Sequence, residues 1–149
     1  MQITSRFTIA VHIITCIEYF KDKERVTSSF LAGSIGANPV IIRNVMSSLK
    51  EAGLIISQQG KSGMELGRSV EEISFFDIYR AVEPVAETGL FHFHENVNPL
   101  CPVGRNIHYA LDDKLARVQQ TMEDEMKKIS ISDVYDDVLA QLKKEQERG

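Results

Sequence analysis

Arg43, Asn44, Ser47 and Lys50 recur at the spacing of one helix face, with Val40 a turn before them. An Arg presents a planar fork of donors, an Asn donates and accepts at once, and a Ser hydroxyl does either. Together they suit hydrogen bonds to base edges in a major groove and to the phosphates beside it. A face turned only to water is more often filled with Glu and Lys. On the other side of the same segment Ile42, Val45, Met46 and Leu49 fall at i, i+3, i+4 and i+7, so one stripe packs inward while the polar set faces out.

A second chemistry centres on Cys101. Pro102 suits the first position of a helix, which would put Cys101 at the cap, beside unpaired amides and the positive end of the helix dipole. Arg105 and His108 would add positive potential, making the thiol a candidate for oxidation or alkylation. The plainer alternative is a helix-start residue packed against Leu100 and Phe91. His92 and His94 alternate along a short segment and, with Cys101 and His108, could form a transition-metal site, although two exposed histidines are the commoner meaning of such spacing. A thiol-dependent redox enzyme built on Cys101 lacks a defined base spacing and a resolving cysteine nearby. Cys16 lies in an apolar helical stripe and is expected in the core, and His12 is expected to be a satisfied helix residue rather than a ligand.

The elements that must hold these residues are legible from their ends. Thr27 caps a helix running through Phe30, Leu31 and Ile35, which Gly36 ends. Asn38-Pro39 opens the next, where Asn suits the cap and Pro the first turn, and Ala52-Gly53 closes it. Leu54-Ile55-Ile56-Ser57 and Met64-Glu65-Leu66 then flank Gln58-Gln59-Gly60-Lys61-Ser62-Gly63, the pattern of a hairpin with a polar tip. From Asn38 to Arg68 the bases Arg43, Lys50, Lys61 and Arg68 exceed the acids Glu51 and Glu65 by two, in a chain of net charge −4. Two helices, a tight turn and a glycine-punctuated hairpin predict a winged helix-turn-helix. In it Arg43, Asn44 and Ser47 meet base edges, Ser28, Ser29, Asn38 and Lys50 hold phosphates, Val40 lies on the contact face, and Gln59, Lys61 and Ser62 reach out from the wing.

Around this unit, a first helix is expected over 6–20. Ser74-Phe75-Phe76-Asp77 reads as a capping box, with Ile73 and Ile78 as its hydrophobic staple, for a helix over 75–82. Ile107, Leu111, Leu115, Val118, Met122, Met126 and Ile129 repeat at spacings of three and four, predicting a helix over 103–129 too long for a small core. A second copy of the chain would cover the projecting stripe, so a symmetric dimer on a palindromic duplex is expected. Ser132-Asp133 is read as the cap of a last helix lined by Val134, Val138 and Leu142, with a charged tail expected to fray.

With 149 residues the chain can bury one good core, and its apolar runs are too short and too charged to span a membrane. No export signal is visible at the N-terminus, and two distant cysteines make no disulfide framework, so a cytoplasmic protein is expected. The expected class is mainly α with a small β-hairpin wing, divided into a DNA-binding unit over 1–83, a linker over 84–101 and a dimerisation region over 102–149.

These residues give the chain a family likeness. Ser5-Arg6-Phe7-Thr8-Ile9-Ala10-Val11-His12, Gly36-Ala37-Asn38-Pro39-Val40-Ile41-Ile42-Arg43 and Leu49-Lys50-Glu51-Ala52-Gly53-Leu54-Ile55 resemble the Rrf2 family of bacterial transcription regulators. Gly60-Lys61-Ser62-Gly63 stands at that family's glycine-rich wing, and 73–82 matches the helix that follows. The family includes the iron–sulfur cluster assembly regulator, the nitric-oxide-sensitive repressor and the cysteine-metabolism repressor. The resemblance implies a dimeric winged-helix regulator, expected to be a repressor and not an enzyme, whose long C-terminal helix crosses into its partner. It leaves room for a small-molecule or oxidant effector. Two departures stand out. This wing has Gln59 where the family commonly has Arg, and Ser62-Gly63 in place of a glycine pair. Cluster-binding members carry three cysteines before the long helix, whereas this chain has Cys101 alone, too few thiolates for an iron–sulfur cluster, so no cofactor is expected.

Overall fold

The computed structural model describes residues 2–58 and 63–149. Helix α1 spans Ser5–Phe20, α2 Ser28–Ile35 and α3 Pro39–Glu51. The local signals act where expected. The Thr27 side chain accepts from Phe30 N–H, and Asn38 Oδ1 accepts from Val40 N–H at 2.8 Å with Pro39 at the start of α3. Gly36 ends α2 at φ 74°, a left-handed conformation that costs a side chain with a Cβ but not glycine, and it is what allows α3 to leave at an angle so soon. Ile42, Val45, Met46 and Leu49 are all buried, together with Ile13, Ile14 and Ile17 of α1 and Leu31 of α2.

Strands β1 (Ile55–Ser57) and β2 (Met64–Leu66) pair antiparallel, with Ile55 opposite Leu66 and Ser57 opposite Met64. Alternation decides their sides: Ile55 and Met64 enter the core, and Ile56 faces out. A single 3-10 turn, Val70–Glu72, leads to α4 (Phe75–Val82), whose capping box at Ser74 and Asp77 is formed in both directions. Ile73 and Ile78, the staple residues, are fully buried. The ring of Phe75 meets that of Phe7 edge-on at 5.3 Å, fastening α4 to α1.

Beyond α4 the chain departs from expectation in three places. After the short α5 (Val85–Thr88), the long helix α6 spans Ile107–Lys127 rather than starting at Val103. Pro102 does not open it, because Asn106 turns its side-chain amide onto the Pro102 carbonyl at 2.7 Å and its backbone N–H onto Val103, which makes a 3-10 turn over Gly104–Asn106 first. The last helix, α7, spans Ile131–Arg148 and is capped by Ser130, whose N–H donates to the Asp133 carboxylate at 2.9 Å, not by Ser132. The cause lies far away in sequence. Ile131 N–H bonds to Ile73 carbonyl and Phe75 N–H to Ile129 carbonyl, both at 2.8 Å, and the Ile131 side chain is fully buried. The helix must therefore begin where Ile131 enters the core. The charged tail expected to fray is helical through Arg148.

Packing also crosses the boundary expected at residue 83. Val85 and Ile131 belong to the same buried cluster as α1, α3 and α4, and Met122 and Met126 of α6 pack on it. Glu83, itself buried, accepts from both the N–H (3.0 Å) and the hydroxyl (2.6 Å) of Thr4, so the chain's beginning is clasped to the end of α4. Cys16 is buried, as its stripe implies.

His12 lies 3.2 Å from the Ser34 hydroxyl, which Cys16 Sγ also approaches at 3.5 Å, linking α1 to α2. Partial burial lowers the pKa of His12 from its ordinary 6.5. On acidification the unfolded chain takes up this proton first, near 6.5, while the folded chain resists it. Stability therefore rises with pH across the window just below that value and is lost as pH falls through it. His12→Gln is expected to flatten this dependence, read as a smaller change in urea midpoint between solutions above and below the window. An unchanged slope would assign it to other groups.

Candidate nucleic-acid interface

The face of α3 opposite its buried stripe carries Val40, Arg43, Asn44, Ser47 and Lys50, all exposed. Arg43 and Lys50 have no ion-pair partner among the described residues, so their positive charge is offered outward. Arg68, counted above with the local bases, is instead drawn to Asp77 at 3.3 Å and to the Glu72 carbonyl, because the capping box fixes that carboxylate beside it. Among the described residues the positive charge of this surface is therefore narrower than the sequence count implied, and it centres on α3.

Ser28, Arg43, Ser47 and Lys50 line one open cleft of about 350 Å³, which runs from the start of α2 to the base of the wing. Val26, Thr27, Met46, Gly63 and Met64 complete its wall. None of these five is among the predicted contact residues, and those named from the sequence were read there only as cap, stripe or hairpin residues. At its α2 end, Thr27 holds the N–H of Phe30, leaving the amides of Ser28 and Ser29 directed away from the helix, an arrangement suited to a phosphate oxygen. Asn38 is partly committed: its Oδ1 caps α3, so only its amide N–H groups remain for a phosphate. Gln59, Lys61 and Ser62 lie outside the described residues. The cleft thus combines cationic, hydroxyl and amide donors, and Glu51, the acid nearest in sequence, closes the far end of α3. Such a set of donors has the chemistry to meet a polyanion.

The second set of predicted residues is arranged differently. Cys101 is half-buried, its Sγ accepts from Gly104 N–H at 3.4 Å, and its carbonyl accepts from Arg105 N–H at 3.0 Å. It therefore caps a local turn, six residues before the α-helical start of α6, and the dipole argument for an activated thiol loses its helix. His108 stacks on His94 with ring centroids 5.4 Å apart and lies tilted against the ring of Phe93 with centroids 4.8 Å apart. Among the described residues, no three His, Cys, Asp or Glu side chains gather where they could hold a metal ion.

Comparison with known proteins bears on this geometry. Residues 3–137 match the family model of Rrf2, described as an iron-dependent transcriptional regulator. The HTH-type transcriptional regulator YwnA of Bacillus subtilis (strain 168) is 40% identical over 133 residues, covering 89% of this chain and 96% of that protein. The crystal structure of a protein designated as DNA-binding superposes with a TM-score of 0.70 at 35% identity, covering 87% of this chain and 98% of the other. CymR of Bacillus subtilis, a global cysteine regulator, superposes with a TM-score of 0.67 at 16% identity over 91% of this chain and 97% of its own, a likeness of fold alone.

Proposed function

The chain belongs to the Rrf2 family and is a DNA-binding transcriptional regulator, and from that premise we propose that it grips a palindromic duplex as a homodimer, α3 of each copy lying in a major groove. The observation that carries this reading is the division of α3. Its apolar stripe is buried, while its polar face is exposed and has no acidic partner among the described residues. In this arrangement Arg43, Asn44 and Ser47 read base edges, and Lys50, with the first turn of α2, holds the flanking phosphates.

Pairing of two chains follows from α6. None of its 21 residues is buried, although Ile107, Leu111, Leu115 and Val118 share one side, and Val118 is 54% exposed. Only the far end of the helix, at Met122 and Met126, finds the core. Val118 is exposed and Ile107, Leu111 and Leu115 are only half-covered, so the stripe gains from a matching surface, and the same stripe on a second copy supplies one by symmetry.

The roles within the cleft separate by salt. Arg43→Ala is expected to cost about 1–3 kcal/mol of binding and to relax sequence choice at one base pair per half-site. Lys50→Ala is expected to weaken all duplexes alike and to reduce the slope of log affinity against log salt by about one per site. Binding titrations on specific and scrambled duplexes across salt concentrations read both effects, and identical behaviour of the two variants would refute the division of roles.

A further inference from the structure

We propose that Val40 reads the C5-methyl group of a thymine in each half-site. The inference rests on the DNA-binding role of α3 and says what one of its residues recognises. Val40 is 53% exposed, at the centre of the outward face in the first turn of α3, between the cap at Asn38 and the polar residues Arg43 and Asn44. It packs on nothing in the core and is absent from the partly buried residues that rest against it.

Neither packing nor local preference accounts for the residue. A β-branched side chain at an exposed helix position loses rotamer freedom and is a poorer helix former than Ala, Lys or Glu. Water gains nothing from it either. What such a side chain fits is an apolar group brought to it from outside. The N-terminal turn of a recognition helix is the part that meets base edges. Among the four bases, thymine alone offers an apolar group in the major groove, and Val has no polar atom with which to read any other.

Geometry narrows the position. Side chains three and four apart on a helix stand about 5–6 Å from each other, so Arg43 and Asn44 flank Val40 closely. Successive base pairs are about 3.4 Å apart, which places the thymine one or two base pairs from the pair that Arg43 contacts.

The test begins with a duplex selected from random DNA by the full-length protein. Each thymine of its half-site is then replaced, one at a time and symmetrically, by deoxyuridine, which removes the methyl group and leaves every hydrogen-bonding atom. One position is expected to lose about fourfold in affinity per half-site, the worth of one buried methyl group. Val40→Ala, which sits on the surface and favours the helix, is expected to keep the wild-type melting temperature. It should bind the thymine duplex more weakly by a similar factor and become indifferent to deoxyuridine at that position alone. Selection of a duplex in which every deoxyuridine is tolerated overturns the proposal, as does a methyl effect that persists in Val40→Ala. If no duplex is selected at all, the fault lies earlier, with the DNA-binding role of α3, and this inference falls with it.

Discussion

Replacing both Leu111 and Val118 of α6 by Asp is expected to leave a monomer in dilute solution and to weaken binding to a palindromic duplex by about 10²–10⁴-fold. Neither residue belongs to the buried core, Val118 being exposed and Leu111 half-buried, so the substitutions leave the packing of the head intact. They do place carboxylates in the middle of the stripe that a second chain would cover, where desolvation of unpaired charge is prohibitive. Loss of pairing removes the advantage of the second head, which in the dimer meets its half-site as an intramolecular event. Sedimentation gives the mass and a titration the affinity, with unchanged helical circular dichroism as proof of folding. Gln120→Asp, exposed on the opposite side of the same helix, is the control expected to change neither. A double variant that remains dimeric would disprove the pairing surface, whatever the duplex binding shows.

The second large effect is on stability. Ile131→Ala is expected to lower the unfolding free energy by about 2–5 kcal/mol, the usual cost of emptying a fully buried branched site. Ile131 is the first residue of α7, but its side chain is part of the core built by α1, α3 and α4. The whole chain should therefore unfold in one transition, with helix content and DNA binding lost together on urea titration. Two separated transitions, with only the second insensitive to Ile131→Ala, would show that the C-terminal helices fold as a unit of their own.

The helix-turn-helix was legible because its signals are local. Thr27, Gly36, Asn38 and Pro39 act within a turn of their own position, and the inward stripe of α3 needs only the helical period to be seen. Errors arose where a distant partner decided the matter. Ser130 and Ser132 are equally good caps by composition. Ile73 decides between them, because its carbonyl and the buried space beside it receive Ile131. Pro102 has the right chemistry for a helix start, yet Asn106 claims its carbonyl and delays α6. Arg68 reads as free positive charge until the fold brings Asp77 to it. The exposed face of α3 was legible as a set of residue types. That Ser28 joins Arg43, Ser47 and Lys50 around one cleft is a fact of tertiary packing, visible only once α2 and the wing are in place.

The paired bonds between 73–75 and 129–131 have a mechanical corollary. They fasten the α6–α7 corner to the root of α4, so the chain has no slack joint at the place where the projecting arm meets the head. Tyr79 of α4, fully buried, reaches towards Glu123 of α6 at 3.5 Å, and Gln119 holds that carboxylate in turn at 3.1 Å. The free portion of α6, from Ile107 to Val118, then acts as a stiff lever about 17 Å long pivoted at this corner. A small swing at its tip would tilt the head as one rigid piece, and in the proposed dimer the crossing angle of two such levers would set the gap between the heads on a duplex.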